Sequence, residues 1–130
     1  MPRKFSGKPP YYLIYISKFS IISTIIFGGL LLAKSLKVVF LGGVGEIGKN
    51  MTALEYGENI IIIDIGMSFP TEDTPGIDVV VPDVTYLSQN KEKIKGIFIT
   101  HGHEDHVGGV SYLWPELGCP TIYGTPFSLA

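Results

Sequence analysis

From Lys37 onward, short apolar runs alternate with breaks rich in glycine, proline or acid. Lys37–Leu41 (KVVFL) ends in a glycine cluster and predicts a buried strand feeding a loop. Met51–Tyr56 and Asn59–Asp64 flank Gly57-Glu58, a two-residue connection of the hairpin type. Ile60–Ile63 is β-branched throughout and too short for a stable helix, so it predicts a buried strand. Ile65–Gly76 reads as loop, and Ile77–Val81 as a strand closed by Pro82. Asp83 suits the N-cap of a short helix over Val84–Lys93. Gly96–Thr100 predicts a further strand, Val110–Trp114 a helix stopped by Pro115, and Thr121–Tyr123 a last strand. Thr125-Pro126 has the form that opens a helix. Strands alternating with short helices make this an α/β chain, without repeats or low-complexity tracts.

The first 36 residues follow a different pattern. Tyr11–Ala33 is apolar apart from Lys18, with an uncharged core, Phe19–Ala33, of 15 residues. A membrane span normally needs about 20, which Lys18 permits by snorkelling if the span begins near Tyr11. A basic start before an apolar stretch also resembles a signal peptide, but no A-x-A cleavage pattern is present. Two readings stand level: a membrane anchor over residues 11–33, or upstream sequence translated from a misplaced start. A buried core helix stands behind both. The expected division is therefore 1–36 as a basic, apolar segment and 37–130 as the α/β part of the chain.

Composition sharpens that division. The chain has 130 residues, enough for one modest domain, and its 45% hydrophobic and 17% charged content excludes disorder. The net charge of −2 hides an asymmetry, because residues 1–37 hold six basic residues and no acid, while 38–130 hold four lysines and all twelve acids. Cys119 is the only cysteine, which excludes a disulfide-stapled scaffold, and it reads as a buried small hydrophobe.

The candidate chemistry lies in Thr100–Gly109, THGHEDHVGG. His101, His103, Asp105 and His106 fall within six residues directly after a predicted strand, and these are the only histidines in the chain. Zinc and similar metals take imidazole nitrogen and carboxylate oxygen. Alternate spacing puts His101 and His103 on one side of an extended turn, leaving Asp105 and His106 to face a second position. Gly102, Gly108 and Gly109 allow the backbone to fold tightly there. One isolated histidine would read as a solvated loop residue; H-x-H-x-D-H after a strand reads as a metal site. The glycine loop GVGEIG (Gly43–Gly48) matches a dinucleotide fingerprint, but a hairpin strand follows it instead of a crossover helix, which argues against that use. Lys91, Lys93 and Lys95 form a small basic run, read as a solvated helix end or, alternatively, as a contact for RNA backbone.

H-x-H-x-D-H resembles the signature of the metallo-β-lactamase superfamily, whose fold is an αβ/βα sandwich. The segments LGGVGEIGKNM (Leu41–Met51), DIGMSFP (Asp64–Pro70), GIDVVVPDVTYL (Gly76–Leu87), GIFITHGHEDHVGG (Gly96–Gly109) and YGTPFSLA (Tyr123–Ala130) narrow the likeness. In that order they resemble the amino-terminal part of the ribonuclease J family, in the beta-CASP branch. The resemblance implies 5′-to-3′ exoribonuclease and endoribonuclease activity in RNA decay and maturation, on 5′-monophosphorylated RNA. It implies two zinc ions, with manganese as an alternative, His101 and His103 holding one and Asp105 and His106 the other. Two such ions, about 3.5–4 Å apart, lower the pKa of a shared water and stabilise an in-line displacement at phosphorus. Asp105 would be the catalytic carboxylate that orients and deprotonates that water. Asp64 would support the metal loop from behind, and Gly43, Gly45 and Asn50 would lie in a loop on the active-site side, unless that turn is purely structural.

The family also needs a later histidine and aspartate, and no histidine follows His106 and no acid follows Glu116. The expectation is thus a truncated fragment, the front half of the sandwich without a beta-CASP domain, inactive or weakly active and with apolar faces uncovered. Cytoplasmic location, membrane association through residues 11–33 and homo-oligomerisation of the full-length form complete the expectations. The rivals are another hydrolase of the same fold, acting on a lactam, lactone or thioester, and a metal-binding fragment without turnover.

Overall fold

β-branched and aromatic residues at alternate positions fit a pleated, half-buried surface, and they build a six-stranded mixed sheet in the computed structural model. It describes residues 12–16, 35–72 and 75–130. The strands are β1 (Tyr12–Ile16), β2 (Leu36–Gly42), β3 (Met51–Tyr56), β4 (Asn59–Ile63), β5 (Ile94–Phe98) and β6 (Ile122–Tyr123), in that spatial order. β1 to β4 pair antiparallel, whereas β4–β5 and β5–β6 are parallel. The Gly57-Glu58 hairpin forms as expected, with Tyr56 opposite Asn59 and Gly57 at a φ of 60°. Because β3 pairs antiparallel with both neighbours, the glycine loop before it does not belong to a dinucleotide-binding crossover unit.

One face of the sheet carries the core. Val39, Leu41, Met51, Ala53, Ile60, Ile62 and Ile97 are buried there with Leu87 and Leu113 from the helical segments and Leu117 from the turn that follows them. Those segments are short: α1 (Thr85–Ser88), α2 (Glu104–Val107) and α3 (Val110–Leu113). Sheet plus one helical layer agrees with the expected α/β class. On β5 and β6, Phe98 and Tyr123 stack in the open, ring centroids 4.9 Å apart.

Several expectations are corrected. The helix over Val84–Lys93 is broken into α1 and a 3-10 turn, Lys91–Lys93. Asn90 causes the break: its side-chain amide donates to Tyr86 O at 2.9 Å and its carbonyl accepts from Lys93 N, a local alternative to helix bonding. Asp83 does accept the Thr85 N–H, at 2.8 Å. Ile77–Val81 is not a strand; only Val80 bridges, to Ser68, and Pro82 withholds a further donor. Thr125-Pro126 opens a single turn, closed by Ser128 N and Leu129 N on Thr125 O. Cys119 is exposed instead of buried, turned outward by positive φ at Gly118 and Cys119. Lys93 is not a free RNA contact, since it pairs with Glu58 at 3.6 Å and Glu55 at 3.9 Å. Within the apolar head, Tyr12–Ile16 is a strand on the edge of β2, not the start of a helical span. The rest of the expected anchor lies outside the described residues. Among the described residues, no helix is long and apolar enough to cross a membrane.

At the sheet end remote from the histidines, Glu55 is buried on the core side of β3. Lys37, its register partner on β2, donates to Glu55 Oε2 at 2.7 Å and to the Tyr86 hydroxyl at 2.7 Å, and that hydroxyl donates to the same carboxylate. The cluster ties α1 to the sheet. Burial opposes the charge on Glu55, but the bonds from Lys37 and Tyr86 outweigh it and hold its pKa below the usual 4.5. Burial likewise opposes the Lys37 charge, and Glu55 and Tyr86 together raise its pKa above 10.5. Glu55→Gln should therefore cost about 1–3 kcal/mol at neutral pH. A depressed folded-state pKa means that this contribution is complete above pH 4.5 and is lost as the pH falls through the lower folded value. Urea melts of wild type and variant should differ by a constant amount above about pH 5 and converge below it; a gap unchanged in acid would refute the charged pairing.

Candidate metal centre

The parallel pairing of β4 with β5 brings both strands to one sheet edge, Ile62 opposite Ile97 and Ile63 opposite Phe98. Beyond that edge lie Asp64 and Thr100, the place where open α/β sheets present ligands. Three segments are knitted together there. Ile65 N donates to His106 O at 2.9 Å, Met67 N to Glu104 O at 3.1 Å, Gly66 N to Asn50 O at 2.9 Å and Asn50 N to Asp105 O at 3.0 Å. Gly66 is required at the crossing, because a Cβ there would lie 1.8 Å from Asp105 O and 2.6 Å from Asn50 N. Gly108 and Gly109 are equally hemmed in, as their spacing suggested, whereas Gly102 has room.

Asp64 is 4% exposed and takes a left-handed φ of 61°, a conformation that Asp tolerates better than most residues. The turn folds its carboxylate back onto the strand ends. Oδ1 accepts Thr100 N–H at 2.8 Å, and Oδ2 accepts both the Thr100 hydroxyl at 2.7 Å and His106 Nδ1 at 2.8 Å. The Thr100 hydroxyl has one proton, given to Asp64, so at 3.0 Å it accepts from His101 Nδ1. One carboxylate thus assigns Nδ1–H to both imidazoles, directly and through a hydroxyl, which makes Nε2 the unprotonated, lone-pair-bearing nitrogen of each.

The three histidine rings lie side by side, and Asp105 sits next to His106. The His101 ring lies 4.6 Å from that of His103 and 4.1 Å from that of His106, centroid to centroid. His106 Nε2 lies 3.4 Å from Asp105 Oδ2. The Asn50 amide nitrogen donates to Asp105 O and Oδ2, both at 3.0 Å, and reaches His106 Nε2 at 3.3 Å. Carboxylate and imidazole therefore present lone pairs to a common donor. Asn50 thus lies against both Asp105 and His106. Gly43, at a φ of 82°, leaves room for its side chain, since a Cβ there would meet Asn50 Oδ1 at 2.3 Å. At Gly45, with a φ of 74°, an added Cβ would meet nothing within 4 Å. The loop was not expected to become helical at α2, and Thr100 and Gly66 were not singled out. The hydroxyl directly before the first histidine was the available signal for Thr100.

A family model described as the metallo-beta-lactamase superfamily matches residues 44–127, covering both the glycine loop and the histidine cluster. The chain belongs to the metallo-β-lactamase superfamily. Among curated proteins it is similar to Ribonuclease J of Synechocystis sp., 50% identical over 97 residues, which is 75% of this chain and 15% of that protein. It is 55% identical over 95 residues to Ribonuclease J of Helicobacter pylori, 73% of this chain and 14% of the relative. Ribonuclease J 2 of Staphylococcus aureus is 46% identical over 97 residues, 75% of this chain and 17% of the relative. The chain thus spans about 15% of the length of such relatives, and the likeness to ribonuclease J read from the sequence agrees with these matches.

Metallo-β-lactamase domains imply divalent metal. Among the described residues, no three histidine, cysteine or carboxylate groups are gathered closely enough to enclose an ion as the side chains stand. The donors nevertheless fit such an ion in type: three imidazoles and a carboxylate, with Nε2 of His101 and His106 left as the lone-pair nitrogen by their Nδ1 bonds. Asp64→Asn should weaken zinc affinity by about 10–100-fold, measured by competition with a chromophoric chelator; unchanged affinity would remove Asp64 from the site. Gly66→Ala should lower stability by at least about 1–3 kcal/mol in urea unfolding, with or without metal.

Proposed function

We propose that residues 37–130 form the front of the catalytic domain of a metal-dependent ribonuclease that hydrolyses phosphodiester bonds, exonucleolytically from a 5′-monophosphate and also internally. The observation that carries this reading is the Asp64–Thr100 assembly, which leaves Nε2 of two imidazoles as the unprotonated nitrogen that a metal ligand needs. The similarity to curated proteins named Ribonuclease J supports RNA as the substrate, and an RNA substrate favours a cytoplasmic enzyme.

In this reading His101 and His103 hold one zinc ion and Asp105 and His106 a second, with manganese able to substitute. Bound there, the metals neutralise phosphodiester charge and make water nucleophilic near neutral pH. Asp105, with a side chain 40% exposed beside His106, is the group that takes the proton from the attacking water. A new P–O bond forms from that water as the bond to the leaving ribose oxygen breaks. Asn50 holds the Asp105 carboxylate in position through its amide. The whole protein acts as an oligomer, and these 130 residues alone bind zinc weakly and turn over little, because their motif supplies only four ligands.

The test is to express the complete reading frame containing these residues and incubate it, zinc- or manganese-loaded, with 5′-monophosphorylated and 5′-triphosphorylated RNA. Nucleotides should be released from the monophosphorylated substrate, and His103→Ala should lower the rate by at least about 100-fold. A protein that spares RNA but opens a lactam, lactone or thioester would move the chain to another branch of the superfamily. Tight binding of two zinc ions with RNA degradation by the 130-residue chain would overturn the weak-turnover part.

A further inference from the structure

A cleft of about 640 Å³ adjoins the metal loop, with His103, Glu104 and Asp105 in one wall and Ile47 and Phe69 in its lining. Ile47 is 96% exposed and Phe69 66% exposed, unusual settings for large apolar side chains beside a polar site. Their backbones are fixed relative to the metal loop. Lys49 N donates to Met67 O at 3.0 Å, and Met67 N donates to Glu104 O at 3.1 Å. Ser68 is pinned on its other side by reciprocal 2.9 Å bonds with Val80. Gly48, at a φ of 92°, packs against Ser68, where a Cβ would come within 2.7 Å of the serine Cβ. Ile47 and Phe69 thus stand on two segments locked to each other and to the residues that would meet a phosphate.

We infer that Phe69 is a base-contacting residue: its ring stacks on the nucleobase of the nucleotide next to the scissile phosphate, with Ile47 as a second apolar surface in the same cleft. This rests on the nuclease reading and adds to it the means by which a nucleotide is held. A phosphodiester at the metals carries its bases a few bonds away, and every base has a π face for an aromatic ring. Because stacking needs no hydrogen-bond pattern, this contact makes binding depend on having a base and not on which base.

The test compares two fluorescent probes of equal charge, a phosphorothioate RNA tetranucleotide that resists hydrolysis and the same backbone without bases, binding to the metal-loaded full-length protein. Wild type should prefer the base-bearing probe by about tenfold or more. Phe69→Ala should bring the two affinities within about twofold, and Phe69→Trp should keep the preference and show quenched tryptophan emission on binding. A preference that survives Phe69→Ala, or is lost in folded Phe69→Trp, overturns the inference. Binding of both probes equally by wild type overturns it while leaving the nuclease reading intact, whereas binding of neither defeats both.

Discussion

The Asp64 carboxylate is where strand, loop and ligand meet. Two oxygens accept a backbone N–H, a hydroxyl and an imidazole N–H, so a buried charge is surrounded by donors instead of standing uncompensated. Its left-handed backbone turns the carboxylate toward Thr100 and His106. Remove that anion, and the tautomers of two histidines, the seat of Thr100 and the path of the chain toward Gly66 lose their common reference. The site is held from within the sheet edge, and its solvent side stays open.

The sheet supplies that edge through a change of direction. Three antiparallel pairings carry the chain from β1 to β4, and the parallel seam at β5 then aligns two strand ends that an antiparallel partner would have set apart. Core side chains of alternating strands meet the helical layer on one face, while the Lys37–Glu55–Tyr86 cluster fastens α1 at the opposite end. Polar bonding is thus placed at both ends of the strands, and apolar packing lies between.

Much of this was legible along the chain. The hairpin was written in Gly57-Glu58, and the metal loop in the density of imidazoles after GIFIT, a pattern with few other uses. Asp64 was legible only by resemblance, because a strand-end aspartate looks ordinary until Thr100 and His106 come beside it. Glu55 gave no local sign, since its partners Lys37 and Tyr86 lie 18 and 31 residues away. The broken helix at Asn90 and the outward turn of Cys119 escaped for a different reason. Each depends on a single side-chain bond or a pair of positive φ angles that composition and periodicity do not encode.

The bonds that hold the centre also set an order of assembly. The β3–β4 hairpin closes through two residues, but Asp64 reaches Thr100 across 36 residues and His106 across 42. Loop closure over such distances is slow relative to local pairing. In a chain emerging from synthesis β3 and β4 can pair before Thr100 and His106 exist, and Asp64 meets its partners only once β5 lies beside β4. The arrangement of Asp64, Thr100 and His106 is therefore complete only when the parallel seam is.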